Sequence, residues 1–191
     1  MIRSILLALA FAAFGAASQP AANSVLLIAK PELADPNFRH AVVLVTQAPD
    51  ASTIGVILNR PGPRKHEGSQ EPIGFGGPVM PEVLVALFRA EQAPSAAFPV
   101  LKGVYLSMHP ENIQQPSAQR RLFAGFSGWR PSQLQEEMAR DAWYVLPATE
   151  ELVFRSDTAG MWRELVEKVR GARTRMNPAL SKPDRLAILV P

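Results

Sequence analysis

The chain has 191 residues and a mass of 20.8 kDa, with 47% hydrophobic and 19% charged residues, so it can bury a core and wholesale disorder is excluded. The absence of cysteine excludes a disulfide scaffold, a thiolate metal centre and a cysteine nucleophile. The histidines (His40, His66 and His109) are too few and too scattered to predict a metal site.

The charge balance disfavours nucleic acid as a partner, because a net charge of +3 is small beside the dense basic face that such binding needs. The C-terminal segment is the exception. From Lys168 to Pro191 it carries six basic residues against the single acid Asp184. A basic segment of this kind either contacts phosphates or anionic lipid, or is the solvated end of a last helix with cations near its negative dipole end.

The N-terminus has the three-part plan of a secretory signal peptide. Arg3 supplies the positive charge, residues 5–14 form an apolar run, and Ala16-Ala17-Ser18 offers small residues for cleavage. The apolar run is too short to span a bilayer of about 30 Å. We therefore predict a signal peptide over residues 1–18 and an exported, periplasmic domain over residues 19–191. The alternatives are an uncleaved N-terminal helix or a start codon placed upstream of a cytoplasmic protein.

Apolar and β-branched runs predict the strands. They lie at residues 25–29, 41–46, 53–58, 83–88, 100–106, 121–126 and 143–146, with a further candidate strand or ordered tail at 186–190. Turn residues at 49–52 predict that the second and third strands form an antiparallel hairpin. The polar residues 64–72, which include His66, predict a mobile surface loop.

Helices are predicted mainly in the second half of the chain, at residues 111–119, 131–140 and 160–170, with a short helix that begins at Thr149-Glu150-Glu151. Ser132 is the predicted N-cap of the second helix, with Gln135 at capping-box spacing, and Thr149 caps the third. The last helix carries an apolar stripe with i, i+4 spacing. Leading strands with antiparallel signals and late helices predict a single domain of the α+β class.

Several motifs in the right order resemble the YqgE/AlgH family of bacterial proteins. The opening motif comprises residues 26–31 and Asp35-Pro36-Asn37-Phe38. The later motifs are Asn59-Arg60-Pro61, Gly76-Gly77-Pro78-Val79, and Gly125-Phe126-Ser127-Gly128-Trp129 followed by Gln133-Leu134, Glu137, Trp143 and Phe154. The resemblance covers nearly the whole of the chain after the leader.

The resemblance implies a mainly antiparallel sheet curled into a pseudo-barrel with flanking helices. One member has given the family a label as a transcriptional regulator of alginate synthesis, but the resemblance implies no settled enzymatic activity and no catalytic or cofactor residues. Most members resemble cytoplasmic proteins without a signal peptide. Export would therefore put a DNA-directed role in doubt.

Three motif loops are the candidate ligand or interaction site, on the hypothesis that they converge on one concavity. The loops contain Asn59 and Arg60, then Gly76, Gly77 and Pro78, then Ser127, Gly128 and Trp129. The glycines could cradle an anion with backbone N–H groups, or they could let two backbone segments approach closely. We favour the close approach, since the loop has neither the lysine of a P-loop nor the spacing of a dinucleotide motif.

The segment around Ser127 also resembles a nucleophile elbow, which has the pattern Gly-x-Ser-x-Gly. Trp129 stands where that pattern requires the last glycine. A hydrolase would need Ser127 beside His109 or His40, with Asp141 as the third member. The alternative is a turn in which the glycines adopt positive φ and Trp129 packs as a lid.

The sequence thus predicts a non-enzymatic, exported binding or interaction domain without cofactor or metal. The expected partner is an envelope protein or a small molecule, and nucleic acid is not expected for an exported chain. The alternatives are a transcriptional regulator, if the chain stays in the cytoplasm, and a hydrolase that uses Ser127.

Overall fold

The structure is a computed structural model that describes residues 24–48, 50–67, 69–114 and 119–176, without the side chains of 173–176. The predicted signal peptide and the candidate strand at 186–190 lie outside these residues. The strands are β1 (Val25–Ala29), β2 (Val42–Gln47), β3 (Thr53–Ile57), β4 (Ile73–Phe75), β5 (Val79–Arg89), β6 (Phe98–Leu101), β7 (Val104–Ser107), β8 (Arg120–Trp129) and β9 (Trp143–Pro147). The helices are α1 (Pro110–Gln114), α2 (Gln133–Ala139), α3 (Glu150–Val153) and α4 (Met161–Met176).

All nine strands belong to one sheet, in the order β6-β7-β5-β8-β3-β2-β1-β9, with β4 added beside β8. Every pairing is antiparallel except that of β4 with β8. The first half of β8 pairs with β5 and β4, and its last three residues pair with β3. This strand therefore joins the two halves of the sheet, and the predicted single α+β domain with a mainly antiparallel sheet is confirmed.

The sheet curls but does not close, because β6 and β9 remain its two edges. Across the curl, the Thr46 hydroxyl on β2 donates a hydrogen bond to the Pro99 carbonyl on β6, at 2.9 Å. Two strands at opposite ends of a six-strand run thus meet through a side chain and not through a backbone ladder. The result is an open seam between β6 and the β2–β3 hairpin.

The core follows from the alternation of side chains along the strands. On β1, Leu26 and Ile28 face the cluster shared by most strands and by α4, while Leu27 and Ala29 face a second cluster on the opposite side. The stripe on α4 that the sequence predicts is buried against the first cluster. The indole N–H of Trp162 also donates to the Ala29 carbonyl at 2.7 Å, which fixes α4 across β1.

Three predicted strands differ from the observed ones. Residues 100–106 form no single strand, because a turn at Lys102 and Gly103 separates β6 from β7 and Gly103 has a φ of +71°. The strand predicted at 83–88 begins earlier, at Val79, and contains a bulge. The strand predicted at 121–126 continues to Trp129, so Ser127, Gly128 and Trp129 lie in β8 and not in a turn.

Of the two predicted helix caps, one is wrong and the other is confirmed. Ser132 has a φ of +71°, and its side chain makes no capping hydrogen bond, so the predicted capping box of α2 does not form. The Thr149 hydroxyl accepts a hydrogen bond from the backbone N–H of Leu152, as predicted for α3.

α4 continues six residues beyond the predicted end at residue 170. For the helix predicted at 111–119, α1 is seen as far as Gln114, and the next four residues lie outside the described residues. Within the described ranges, no helix has both the length and the apolar character needed to cross a membrane.

Candidate functional site

Asn59 and Arg60, the first pair of predicted site residues, bind the segment at 36–40 of the same chain. The Asn59 side chain accepts from the Val42 N–H at 2.8 Å and donates to the His40 carbonyl at 2.9 Å. The Arg60 guanidinium donates to the Arg39 carbonyl at 3.2 Å. Burial lowers the pKa of Arg60, and the neighbouring Arg39 cation lowers it further. These side chains therefore hold a loop in place, and their polar groups are used for that purpose.

The second and third predicted loops lie against each other without space between them. The Ser127 hydroxyl donates to the Gly76 carbonyl at 3.2 Å, and the Ile57 N–H donates to the same oxygen at 2.9 Å. A Cβ on Gly77 would lie 2.3 Å from the carbonyl carbon of Phe126, which no side chain tolerates. The favoured explanation for these glycines, a close approach of two backbones, is thus what the structure shows. We call Gly76, Gly77 and Ser127 the closed cluster.

Gly125 makes this contact possible from the side of β8. Its φ is +70°, and a Cβ there would lie 2.6 Å from the Gly77 carbonyl oxygen. β8 changes partner just after this residue, from β5 and β4 to β3. The glycine therefore lets one strand serve both halves of the sheet.

The geometry at Ser127 does not support the nucleophile-elbow interpretation. Ser127 is 0% exposed within a strand, and its hydroxyl donates to a backbone carbonyl instead of to a histidine. His40 stacks on the ring of Trp162, with the ring centroids 4.1 Å apart. Asp141 forms an ion pair with Lys30. Ser127, His40 and Asp141 thus each have a partner outside the suggested triad.

Trp129 is not a lid over a turn, as the sequence suggested, but a buried member of an aromatic cluster. It is 2% exposed and stacks on Phe38, with the ring centroids 5.5 Å apart, while Trp143 meets both rings edge-on. One carboxylate oxygen of Glu137 on α2 accepts from the indole N–H of Trp129 at 3.0 Å and from that of Trp143 at 2.9 Å. Glu137 therefore fixes both indoles, and the cluster also uses the loop that Asn59 and Arg60 hold.

An open groove lies at the end of β8, and Trp129 is among the residues that line it. Its volume is about 570 Å³, within the range usual for ligand sites. The apolar lining includes Ile54, Phe98, Phe126 and Trp129, and the exposed backbone of Gly128 faces the same space. The groove lies where the β2–β3 hairpin, β6 and the end of β8 approach one another.

Polar groups occupy the rim of the groove. The Asp50 carboxylate accepts from the Ser52 hydroxyl and from its N–H, and these bonds lower the pKa of Asp50. Arg130 is exposed on the opposite segment. Gln133 accepts from the Arg130 N–H and donates to Glu137, so its amide is engaged within the protein. The rim therefore carries one anion and one cation.

Of the eight predicted site residues, only Gly128 and Trp129 line the groove. Gly76, Gly77 and Ser127 pack against one another. Pro78 is exposed immediately before β5, and Asn59 and Arg60 bind the 36–40 segment. The sequence missed Phe98, Phe126 and Arg130, because the groove is assembled from three separate segments and no spacing in the chain links them. The one feature of the sequence that could have indicated the groove was an aromatic residue, Trp129, directly after a glycine, Gly128.

The described part of the chain contains no group of three or more histidine or acidic side chains arranged to hold a metal ion. The groove has an apolar floor and a nearly neutral rim. Such a site can bind an apolar group and orient it by hydrogen bonds at the edge.

Comparison with other proteins supports the resemblance drawn from the motifs. A family model described as AlgH-like (DUF179) matches residues 26–173. A UPF0301 protein of Thermobifida fusca is 35% identical over 173 residues, which cover 78% of this chain and 87% of the relative. A UPF0301 protein of Streptomyces coelicolor is 32% identical over 165 residues, with coverages of 76% and 86%.

Solved structures share the fold at lower identity. The solution structure of the AlgH protein from Pseudomonas aeruginosa has a TM-score of 0.62 at 21% identity and covers 88% of this chain and 98% of its own. The crystal structure of protein DIP2367 from Corynebacterium diphtheriae has a TM-score of 0.62 at 22% identity, with coverages of 78% and 87%. These likenesses establish the fold alone.

Proposed function

The chain belongs to the AlgH-like family, and from that premise we propose that it is an exported, non-catalytic binding domain. The observation that carries the proposal is the contrast between the motif side chains and the groove. Asn59, Arg60, Ser127 and Glu137 are bonded to groups of the protein itself. The groove beside Trp129 is open and lined mainly by apolar groups.

This arrangement suits binding better than turnover. Catalysis needs a nucleophile or a general base aimed at the space where substrate lies. Ser127, the one nucleophile that a motif suggested, is buried and donates to a backbone carbonyl. The groove offers shape and apolar surface, which are the means by which a binding domain selects its partner.

Export is proposed from the leader sequence. Arg3, the apolar run at 5–14 and the small residues at 16–18 fit a cleavable signal, while the family match begins at residue 26 and so leaves the leader outside it. A domain acting outside the cytoplasm would meet envelope proteins and small molecules, and not chromosomal DNA.

The proposal is tested by N-terminal sequencing of the native protein, together with a fusion to a reporter enzyme that is active only outside the cytoplasm. We expect an N-terminus at residue 18 or 19 and an active reporter. As a control, Leu7→Arg should interrupt the apolar run and keep the chain inside, with its leader intact. A full-length cytoplasmic product from the unaltered gene would refute export and would favour the regulator interpretation.

A second measurement distinguishes a hydrolase from a non-catalytic binding domain. If Ser127 were a nucleophile, Ser127→Ala would remove any esterase activity of the purified chain towards activated esters. We expect any trace activity to be the same in the wild type and in Ser127→Ala. Loss of a measurable activity in a variant that remains folded would overturn the non-catalytic proposal.

A further inference from the structure

We infer that the outer edge of β9 binds residues 186–190 of the same chain, which add to the sheet as a further strand. This inference goes beyond the proposed function and does not rest on it. Residues 186–190 (Leu-Ala-Ile-Leu-Val) lie outside the described part of the chain, whereas the edge that would receive them lies within it.

The backbone of β9 presents unused hydrogen-bonding groups at this edge. The Lys30 N–H donates to the Ala142 carbonyl at 3.0 Å, and in an antiparallel ladder the bonded positions alternate. Tyr144 and Leu146 therefore bond to β1, and the N–H and C=O of Val145 point away from it. Within the described ranges, neither of these Val145 groups has a hydrogen-bond partner. A free donor and a free acceptor at a strand edge form a template on which another strand can pair.

The opposite edge of the sheet, at β6, is protected against such pairing. Pro99 has no N–H, and its carbonyl accepts from the Thr46 hydroxyl at 2.9 Å. β9 carries no charged side chain, and its one proline, Pro147, is its last residue. Because edge strands are normally protected by charge, by proline or by a covering segment, the unprotected length of β9 indicates that another segment covers it.

A cavity of about 630 Å³ lies beside this edge, between β9, α3 and α4. The apolar part of its lining comprises Leu146, Pro147, Leu152 and Leu165. Alternation along a strand at 186–190 places its three largest β-branched and leucine side chains on one face, at Leu186, Ile188 and Val190. Burial of this face in the cavity would remove it from water and fill space that the described residues leave open.

The path of α4 explains why the occupant is a segment of the same chain. The Arg170 guanidinium donates to the Tyr144 hydroxyl at 3.5 Å, so the second half of α4 lies beside β9. α4 ends at Met176, and residues 177–185 connect that end to the apolar run. A connection of this length can span roughly 30 Å, which exceeds the length of a short strand such as β9. A tethered segment has an effective concentration in the millimolar range, which a second copy at micromolar concentration does not reach.

The test is amide hydrogen exchange of the purified, isotope-labelled chain, followed by NMR at the N–H groups of Val145 and Tyr144. The described residues offer the Val145 N–H no acceptor, whereas the Tyr144 N–H bonds to β1. We expect both groups to be protected in the wild type. In Ile188→Asp, which places a charge in the middle of the apolar run, the Val145 N–H should exchange at least about tenfold faster while Tyr144 stays protected.

Ser181→Asp is the matched control, since it adds the same charge outside the apolar run. It should leave exchange at Val145 as it is in the wild type. Ile188→Val keeps a β-branched apolar residue and should keep the protection. Ile188→Pro removes a backbone N–H from the run, so it should release Val145 as Ile188→Asp does.

Equal exchange at Val145 in the wild type and in Ile188→Asp would overturn the inference, whether the N–H is protected in both or in neither. Protection that rises with protein concentration, together with a dimeric mass in analytical ultracentrifugation, would assign the edge to a second copy and would also refute it. None of these outcomes bears on export or on turnover, because the leader and ester experiments decide those proposals separately.

Discussion

The closed cluster and the groove lie next to each other on β8, yet they use their glycines in opposite ways. Gly77 is covered by the backbone of β8, and the Gly76 carbonyl accepts from Ser127. One residue further along, Gly128 faces open space. Both belong to motifs that resemble one family, so a shared motif does not by itself separate the residues that build a fold from the residues that present a surface.

The most direct test of this difference is to add a methyl group at Gly77 and, in a second variant, at Gly128. Gly77→Ala places a Cβ about 2.3 Å from backbone atoms of Phe126, which must move to admit it. We expect the free energy of unfolding to fall by about 3 kcal/mol or more. Gly128→Ala should change it by less than about 1 kcal/mol. Urea unfolding followed by circular dichroism measures both, and similar values for the two variants would contradict the distinction.

Glu137 provides a second test, because it binds two indoles of the aromatic cluster, and one of them, Trp129, belongs to the groove lining. Glu137→Ala leaves the indole N–H groups of Trp129 and Trp143 without their acceptor. We expect a loss of about 2–4 kcal/mol in the free energy of unfolding. Tryptophan fluorescence during unfolding measures it. Glu136→Ala, which alters the exposed neighbour on α2, is the matched control and should cost well under about 1 kcal/mol.

The conservative variant Glu137→Gln distinguishes a hydrogen-bonding role of the Glu137 carboxylate from a role of its negative charge. Glu137→Gln keeps an oxygen that can accept from both indoles. It should therefore recover most of the stability lost in Glu137→Ala. A glutamine variant as unstable as the alanine variant would mean that the carboxylate acts through its charge.

The smallest expected effect lies far from the groove, at the ion pair of Glu71 with Arg120. The pKa of Glu71 lies below its usual value of 4.5, mainly because Arg120 donates hydrogen bonds to the carboxylate. Since the folded pKa is the lower one, the pair stabilises the fold at neutral pH and ceases to do so as the pH falls through that value. The Glu71 side chain is 28% exposed and that of Arg120 is 10% exposed, so water screens the pair only in part. Because a glutamine oxygen can still accept from Arg120, we expect about 1 kcal/mol or less between wild type and Glu71→Gln at pH 7.

The pH dependence is the part of this prediction that a general surface effect would not reproduce. The stability difference between wild type and Glu71→Gln should shrink towards zero in urea titrations at progressively lower pH. A difference that grows as the pH falls would have the wrong sign for a lowered carboxyl pKa.

Local patterns in the sequence were sufficient for much of the fold. The β2–β3 hairpin, β1 and β9 form where apolar runs end at turn residues or proline, and Thr149 caps α3 as its side chain predicts. These features depend on residues close together in the chain. The motif resemblance to the YqgE/AlgH family was also sufficient to identify the family.

The failures arose where distant residues decide the local conformation. Ser127, Gly128 and Trp129 look like a turn by composition, but pairing with β3 holds them in a strand. Ser132 has the residue type of a cap, yet its backbone is left-handed and its side chain makes no cap bond. The expected convergence of the three motif loops located the site only in part. Gly77 and Ser127 fill the space between the second and third loops, and the open groove lies at Gly128, one residue beyond Ser127.

The pairing of β1 with β9 has a consequence for how the chain is made. Val25 lies opposite Pro147, so the first strand of the domain cannot gain its outer neighbour until most of the polypeptide has left the ribosome. Such long-range closure slows folding.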